Sequence, residues 1–138
     1  MKIIVTLIFI ILTNTNSKAQ TKKEIQLAKK IFEGTWVNKK LNRHIHIGFD
    51  VEDKVLITDW IGKYKAGNNT LGSYPAFISG DTLILPEDKQ DENTLAPYCE
   101  ITVQDGTLLY RCKASGYVKA KNENTFINNT PFIKVKKT

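Results

Sequence analysis

The chain has 138 residues, a formal net charge of +6 at pH 7 and only two cysteines. This length suits a single domain with a core of its own. Because the lysines and arginines are scattered along the sequence, they indicate a solvated surface, and we expect no nucleic-acid partner. No segment beyond the N-terminus has the roughly 20 apolar residues of a transmembrane helix, so we also expect no transmembrane segment.

The N-terminal residues 1–19 have the layout of a secretory signal peptide. A short positive start precedes an apolar run over residues 3–12, and Ser17 and Ala19 supply the small side chains that a signal peptidase reads. We expect cleavage after Ala19, a mature domain over residues 20–138, and a periplasmic or secreted location. Such a compartment is oxidising, so a disulfide would persist there.

The mature sequence begins with a predicted helix of about three turns. Thr21 and Glu24 have the spacing of a capping box, and Gly34 is a residue at which a helix commonly ends. Apolar residues between them recur at helical intervals, namely Ile25, Ala28, Ile31 and Phe32. From Thr35 onward the periodicity changes to that of strands.

Short alternating segments separated by turn residues follow the helix. They predict strands over residues 35–40, 44–50, 54–61, 74–79, 82–85, 98–104, 107–113, 117–119, 125–127 and 132–136. We therefore predict an all-β fold, a single antiparallel up-and-down β-barrel of about eight to ten short strands preceded by the helix. The acidic stretch 86–93 is predicted as the longest loop, and Asn128-Asn129 as a turn.

The two cysteines lie symmetrically about Asp105-Gly106, a dipeptide typical of two-residue hairpin turns. A turn there places Cys99 opposite Cys112 as a non-hydrogen-bonded pair, whose short Cα separation is compatible with a disulfide. The same register places Glu100 opposite Arg111 and makes one face of the hairpin apolar throughout. We therefore predict a disulfide between Cys99 and Cys112.

A second hairpin has a weaker turn signal. One face of the second predicted strand is apolar and holds Ile45, Ile47 and Phe49. A two-residue turn at Glu52-Asp53 would align Leu56 and Trp60 with that face, and it would place Asp59 opposite His46. On this register the side chains of Leu56 and Trp60 point into the barrel.

The segment Phe32-Glu33-Gly34-Thr35-Trp36 resembles the opening of the calycin group, which includes the lipocalins and fatty-acid-binding proteins. In that group a short helix runs into a Gly-x-Trp motif on the first strand of an up-and-down barrel. Residues 77–85 look like a hairpin of small bacterial lipocalin-like domains. The resemblance implies that Trp36 closes one end of the barrel, with Lys134 or Lys136 above its ring in a cation–π contact.

A lipocalin-like barrel implies a first candidate function, the binding of a small apolar ligand. We predict that the cavity is lined from among Trp36, Ile45, Ile47, Phe49, Trp60, Phe77, Ile101 and Tyr110. The same residues could simply fill the core, as is common in eight-stranded barrels, and the filled core is the interpretation we favour.

A second candidate function is that of a periplasmic protein-binding module such as a lysozyme-type inhibitor. Small disulfide-bonded barrels that inhibit lysozyme carry Ser-Gly followed by Tyr in a loop after a Cys. The segment at residues 112–117 is similar to that loop. Its charge disfavours this function, because a basic inhibitor would meet a basic lysozyme.

Side chains with catalytic or metal-binding potential are sparse. His44 and His46 share a strand face beside Asp59, but no further strong ligand accompanies them, and we expect no metal site there. The acidic loop residues, Asp88, Asp91 and Glu92, are expected to be solvated rather than bound to calcium. Because both cysteines belong to a disulfide and no base accompanies a nucleophile, we expect neither an enzyme nor a cofactor.

Overall fold

The structure is a computed structural model that describes residues 21–51, 54–64, 70–90, 93–113 and 126–137. The helix of this part of the chain is α1 (Lys22–Phe32). The strands are β1 (Gly34–Asn38), β2 (Arg43–Val51), β3 (Lys54–Ile61), β4 (Thr70–Ser79), β5 (Thr82–Leu85), β6 (Asp88–Gln90), β7 (Asn93–Ala96), β8 (Cys99–Gln104), β9 (Thr107–Lys113) and β10 (Phe126–Lys134).

Eight strands close into one antiparallel barrel in the order β1-β10-β9-β8-β5-β4-β3-β2, which confirms the predicted barrel with a preceding helix. The other two, β6 and β7, pair with each other as a separate hairpin between β5 and β8. The predicted loop over residues 86–93 was therefore wrong, because β6 lies within it and β7 begins at its end. The predicted strand over 117–119 lies outside the described residues.

The helix α1 covers one end of the barrel, which we call the closed end. Its predicted capping box is confirmed: the Glu24 backbone N–H donates to Thr21 Oγ1 at 3.2 Å, and the Thr21 N–H donates to Glu24 Oε2 at 3.2 Å. Ala28 and Phe32 have no exposed surface and belong to the barrel core. Within the described residues, no helix is long and apolar enough to cross a membrane.

Trp36 connects the helix, the first strand and the last strand at the closed end. Its ring N–H donates to the carbonyl of Phe32 at 2.9 Å, and Lys134 Nζ lies 5.2 Å from the ring centroid. The cation–π partner is thus the first of the two lysines considered. Gly34 has φ of +128°, and a Cβ there would lie 3.0 Å from Lys134 Cε, so a side chain at this position would disturb the contact.

The hairpin of β8 and β9 has the predicted register and disulfide. Cys99 pairs with Cys112 at a Cα separation of 4.1 Å, and their sulfur atoms are bonded. Both residues of the Asp105-Gly106 turn have positive φ, 51° and 76°, as a type I′ turn requires. Arg111 Nη2 lies 3.3 Å from Glu100 Oε2, so the predicted charge pair across this hairpin is also present.

The hairpin of β2 and β3 departs from its predicted register by one residue. An irregularity between Gly48 and Val51 shifts the pairing, so that Ile45 lies opposite Asp59. Val51 pairs with Lys54, as the predicted two-residue turn requires. Without the irregularity, the same register would have continued along the whole hairpin. A β-bulge adds one residue to one strand, and the register beyond it slips accordingly.

The slip exchanges the two faces of β3. The predicted inward orientation of Leu56 and Trp60 was wrong, because both project from the outer face of the barrel. Leu56 is 40% exposed there, whereas Trp60 is 9% exposed because His44 and Tyr64 pack against its ring. Asp59 instead points into the barrel, opposite Ile45 rather than His46. A slip of one residue has this effect because successive side chains of a strand point to opposite faces.

The last strand is longer than predicted. Residues 125–127 and 132–136 were expected to form two strands with a turn at Asn128-Asn129, but β10 runs continuously from Phe126 to Lys134. The two asparagines pair with Cys112 and Arg111 of β9, after a register shift between Phe126 and Asn128. The prediction was wrong because the ladder with β9 continues through residues that locally favour a turn.

We expect the substitution Phe32→Ala to lower the free energy of unfolding by about 3–5 kcal/mol, because this side chain fills the closed end without any exposure. The matched control is Leu27→Ala on the same helix, where the side chain is 55% exposed. It should change the free energy of unfolding by less than about 0.5 kcal/mol. Urea denaturation measures both values, and equal effects would contradict the position of α1.

Candidate functional site

Four polar side chains point into the barrel near its open end, the end at which β1 finishes and β2 begins. Arg43 is the first residue of β2, and Asp59 is the third-last residue of β3. Tyr74 of β4 and Tyr110 of β9 reach the same place. Each follows the inward-facing positions of its own strand, which bring all four together. We call these residues the polar cluster.

A buried ion pair forms the centre of the polar cluster. Arg43 Nε donates to Asp59 Oδ1 at 2.9 Å, and Nη2 donates to Oδ2 of the same carboxylate. Asp59 is only 2% exposed, so its charge is tolerated because the guanidinium binds both oxygens. The pKa of Arg43 is raised, chiefly by its hydrogen bonds to Asp59, although desolvation acts in the opposite direction.

The two tyrosines extend the polar cluster away from the carboxylate. Tyr74 Oη donates to Asp59 Oδ2 at 3.0 Å, and the hydroxyl oxygens of Tyr74 and Tyr110 are 3.1 Å apart. The Arg43 guanidinium carbon lies 5.1 Å from the centroid of the Tyr110 ring. Burial raises the pKa of both phenols, so each hydroxyl stays protonated at neutral pH and takes part as a neutral group.

The polar cluster lies at a pocket of about 550 Å³. Arg43, Tyr74, Tyr110 and Thr130 supply its polar wall. The remaining uncharged wall is apolar and consists of Pro75, Leu85, Pro86, Ala96, Pro97, Cys99 and Cys112. The pocket therefore combines a small set of convergent polar groups with a larger apolar surface, which is the usual composition of a small-molecule site.

The hairpin of β6 and β7 rises beside this pocket. The base of this hairpin and its connections to β5 and β8 contribute Pro86, Glu87, Asp88, Ala96 and Pro97 to the lining. The two acidic residues among them, at positions 87 and 88, are solvent-exposed. Part of the stretch predicted as a loop thus forms one rim of the pocket and contributes two acidic side chains to it.

The structure distributes the eight predicted ligand-binding residues among three environments. Tyr110 lines the pocket. Five lie in or against the packed core and do not line the pocket, namely Trp36, Ile45, Ile47, Phe49 and Ile101. Trp60 and Phe77 lie on the outer face of the barrel, so their predicted inward orientation was wrong. Phe77 is 56% exposed because the inward position of β4 is taken by its small neighbour, Ala76.

Trp60 forms an aromatic stack on the outer face instead. Its ring stacks on His44 at a centroid distance of 5.3 Å, and the ring of Tyr64 meets its edge at 5.1 Å. His46 Nδ1 lies 3.0 Å from Thr35 Oγ1. Because Asp59 points inward, its carboxylate does not lie beside the two histidines.

Within the described ranges, no group of three or more histidine, cysteine or acidic side chains is arranged to hold a metal ion. The acidic set considered for calcium includes Asp91 and Glu92, which lie outside the described residues. The similarity to a lysozyme-inhibitor loop also falls largely outside them, at residues 114–117.

The strand parity of Arg43 and Asp59 could have indicated the polar cluster from the sequence, but the predicted ligand-binding residues did not include them. Arg43 has the same strand parity as Ile45 and Ile47, and Asp59 has the same parity as Val55 and Ile57. An acid and a base that continue the apolar faces of neighbouring strands are candidates for a buried pair. For Asp59 this inference also needs the register of β2 and β3, which the bulge changes.

Comparison with protein-family models, with curated proteins and with solved structures finds no match for this chain. The geometry of the pocket is therefore the basis for a functional proposal.

We expect the substitution Asp59→Ala to lower the free energy of unfolding by about 3–5 kcal/mol, because it leaves the Arg43 charge inside the barrel without its partner. Replacing both residues by apolar ones, in the double variant Arg43→Met with Asp59→Leu, should recover most of that loss. Urea denaturation measures both changes.

The matched control for this experiment is Glu100→Ala, which removes the partly exposed ion pair with Arg111. A pair of this kind contributes no more than about 1 kcal/mol. If Asp59→Ala and Glu100→Ala destabilise the protein equally, the Asp59 carboxylate is not buried as the structure shows.

Proposed function

We propose that this protein is an exported lipocalin-like domain that binds a small, mostly apolar molecule in the pocket at the open end of its barrel. The observation that carries the proposal is the pocket itself, with a volume of about 550 Å³ and a buried polar cluster in its wall. Pockets that bind small molecules have volumes of about 300–1,000 Å³ and a mainly apolar lining.

The rigidity of the pocket wall supports binding. Arg43 is held by two hydrogen bonds to Asp59, and Tyr74 is held by a third to the same carboxylate. On the opposite wall, the disulfide of Cys99 and Cys112 joins β8 to β9 at the pocket. Groups that are fixed before a ligand arrives lose little conformational freedom on binding.

The packed half of the barrel limits how deeply a ligand reaches. Trp36, Ile45, Ile47 and Ile101 are buried in one continuous core at and above the closed end. Phe132 also has no exposed surface and lies beneath Arg43, whose guanidinium carbon is 5.7 Å from its ring centroid. A ligand would therefore occupy the open half, above a filled core.

The proposed export rests on two features of the chain. The first is the signal-peptide layout of residues 1–19, which lie outside the described residues. The second is the disulfide between Cys99 and Cys112, since such bonds persist in the periplasm and outside the cell but are rare in the cytosol. The rim of the pocket would then face an aqueous, oxidising compartment.

The proposal can be tested with the neutral fluorescent dye Nile red, which we expect to bind with enhanced emission. The variant Thr130→Trp places an indole in the pocket, because Thr130 points inward and lines it. We expect this variant to bind the dye at least about tenfold more weakly, a loss of about 1.4 kcal/mol.

The matched control is Asn129→Trp, one residue away on the exposed outer face of β10, which should bind the dye as the unmodified protein does. Circular dichroism and thermal unfolding confirm that both variants are folded, since a large side chain can also strain its surroundings. Equal dye binding by the two variants, or no binding by the unmodified protein, would overturn the proposal.

A further inference from the structure

The hydrogen bonds of the polar cluster have only one consistent direction. The Asp59 carboxylate accepts hydrogen bonds from Nε and Nη2 of Arg43 and is an acceptor only. Tyr74 therefore uses its single hydroxyl proton on Asp59 Oδ2, at 3.0 Å. Its oxygen can then contact the Tyr110 hydroxyl, 3.1 Å away, only by accepting a proton from it. The proton of Tyr110 is committed to Tyr74.

This direction determines what Tyr110 presents to the pocket. Its hydroxyl oxygen has lone pairs, while its only proton is already used on Tyr74. Tyr110 lines the pocket and is 7% exposed. To a molecule in the pocket it is therefore a hydrogen-bond acceptor, and it cannot donate unless the bond to Tyr74 breaks.

Arg43 presents the complementary group. A guanidinium has five N–H donors, and Asp59 takes one from Nε and one from Nη2. Among the described residues, none accepts a hydrogen bond from Nη1. Since Arg43 lines the same pocket as Tyr110, the polar wall offers a donor beside an acceptor.

The charges around the pocket disfavour an anion. The positive charge of Arg43 is matched by Asp59 at hydrogen-bond distance, so the two charges nearly cancel for a ligand in the pocket. The two other charged lining residues, Glu87 and Asp88, are both acidic. A carboxylate in the pocket would face the negative charge of Asp88 and would also meet the lone pairs of Tyr110.

We propose that the ligand is a neutral molecule with an apolar body and one head group that both donates and accepts a hydrogen bond, a hydroxyl or a primary amide. Such a head group donates to Tyr110 Oη and accepts from Arg43 Nη1, while the apolar body lies against the prolines, Leu85 and the disulfide. This inference rests on the proposed function, because it specifies the ligand class of the same pocket. It excludes free fatty acids as the preferred ligands.

Four probes built on the same ten-carbon chain test the inference by isothermal titration of the oxidised protein: decanol, decanamide, methyl decanoate and decanoate. Decanol and decanamide both donate and accept, methyl decanoate only accepts, and decanoate is an anion. We expect the first two to bind about five- to tenfold more tightly than methyl decanoate, which lacks one hydrogen bond. Decanoate should bind at least about tenfold more weakly than decanol.

Two variants separate hydrogen-bond direction from general packing. Tyr110→Phe removes the acceptor, so the affinity for decanol should fall to the affinity for methyl decanoate. Tyr74→Phe releases the Tyr110 proton, which can then be donated to a ligand, so methyl decanoate should bind more tightly than it does to the unmodified protein. Both variants thus reduce the ratio of the affinity for decanol to that for methyl decanoate. Tyr110→Phe does so by weakening decanol binding, and Tyr74→Phe by strengthening methyl decanoate binding. Only the predicted direction of the hydrogen bonds produces this pair of results.

The matched control is Tyr98→Phe. Tyr98 also donates to a carboxylate, Glu100 Oε1 at 2.9 Å, but it does not line the pocket. This variant should leave the affinities for all four probes unchanged. Thermal unfolding of each variant shows whether it is folded under the titration conditions.

The outcomes distinguish the two proposals. If none of the four probes binds, the proposed function fails, and the ligand class fails with it. If the probes bind but decanoate equals or exceeds decanol, or if Tyr74→Phe does not strengthen methyl decanoate, the pocket remains a binding site and the inferred head-group chemistry is wrong.

Discussion

The ion pair between Arg43 and Asp59 is the interaction on which the open half of this barrel depends. An unpaired charge inside a small barrel would be very costly, so the two side chains need each other at hydrogen-bond distance. Asp59 reaches that position only because the bulge in β2 turns it inward. The same carboxylate then holds Tyr74, and through it Tyr110. Bulge, ion pair and tyrosines are therefore one structural unit.

The barrel divides into two halves with different roles. At the closed end, α1, Trp36 and Phe132 fill the interior and supply apolar burial, which is the main favourable contribution to folding. At the open end, polar side chains replace apolar ones and the interior is not completely filled. The disulfide lies at this open end, where it joins β8 to β9 beside the pocket. The packed core and the pocket thus lie toward opposite ends of the same sheet.

The elements that could be predicted from the sequence are those specified by neighbouring residues. The Asp105-Gly106 turn requires only its own backbone preferences, and it determined the register of the whole hairpin, including the disulfide. The capping box of α1 is equally local. The bulge in β2 is different, because nothing at Glu52-Asp53 shows that the pairing slips between Gly48 and Val51. The shifted register is favoured because it pairs Asp59 with Arg43 and avoids the cost of burying an unpaired charge. This contribution to the free energy can be recognised only when the two strands are considered together.

The polar cluster escaped prediction for the same reason. The large apolar residues that were considered as a cavity lining lie mostly in the core, which is the interpretation favoured from the sequence. The pocket instead depends on polar residues that continue the apolar faces, Arg43 and Asp59, and on a hairpin rim that had been expected to be a loop. In a barrel of this size, inward polar residues indicate where the core ends and the pocket begins.

The ionisation of Tyr74 shows whether this side chain is buried against the Asp59 carboxylate, as the structure places it. Burial first, and then its neighbours Tyr110 and Asp59, raise the pKa of Tyr74 far above its ordinary value, which is about 10. An unfolded chain would release this proton near pH 10 while the folded chain retains it, so stability should fall as the pH rises above about 10. Carbon-13 NMR of tyrosine labelled at Cζ, with Tyr74→Phe to assign the resonance, follows this proton in the folded protein. We expect Tyr74 to remain protonated until the barrel unfolds, and titration of Tyr74 in the folded protein near pH 10 would contradict its burial in the polar cluster.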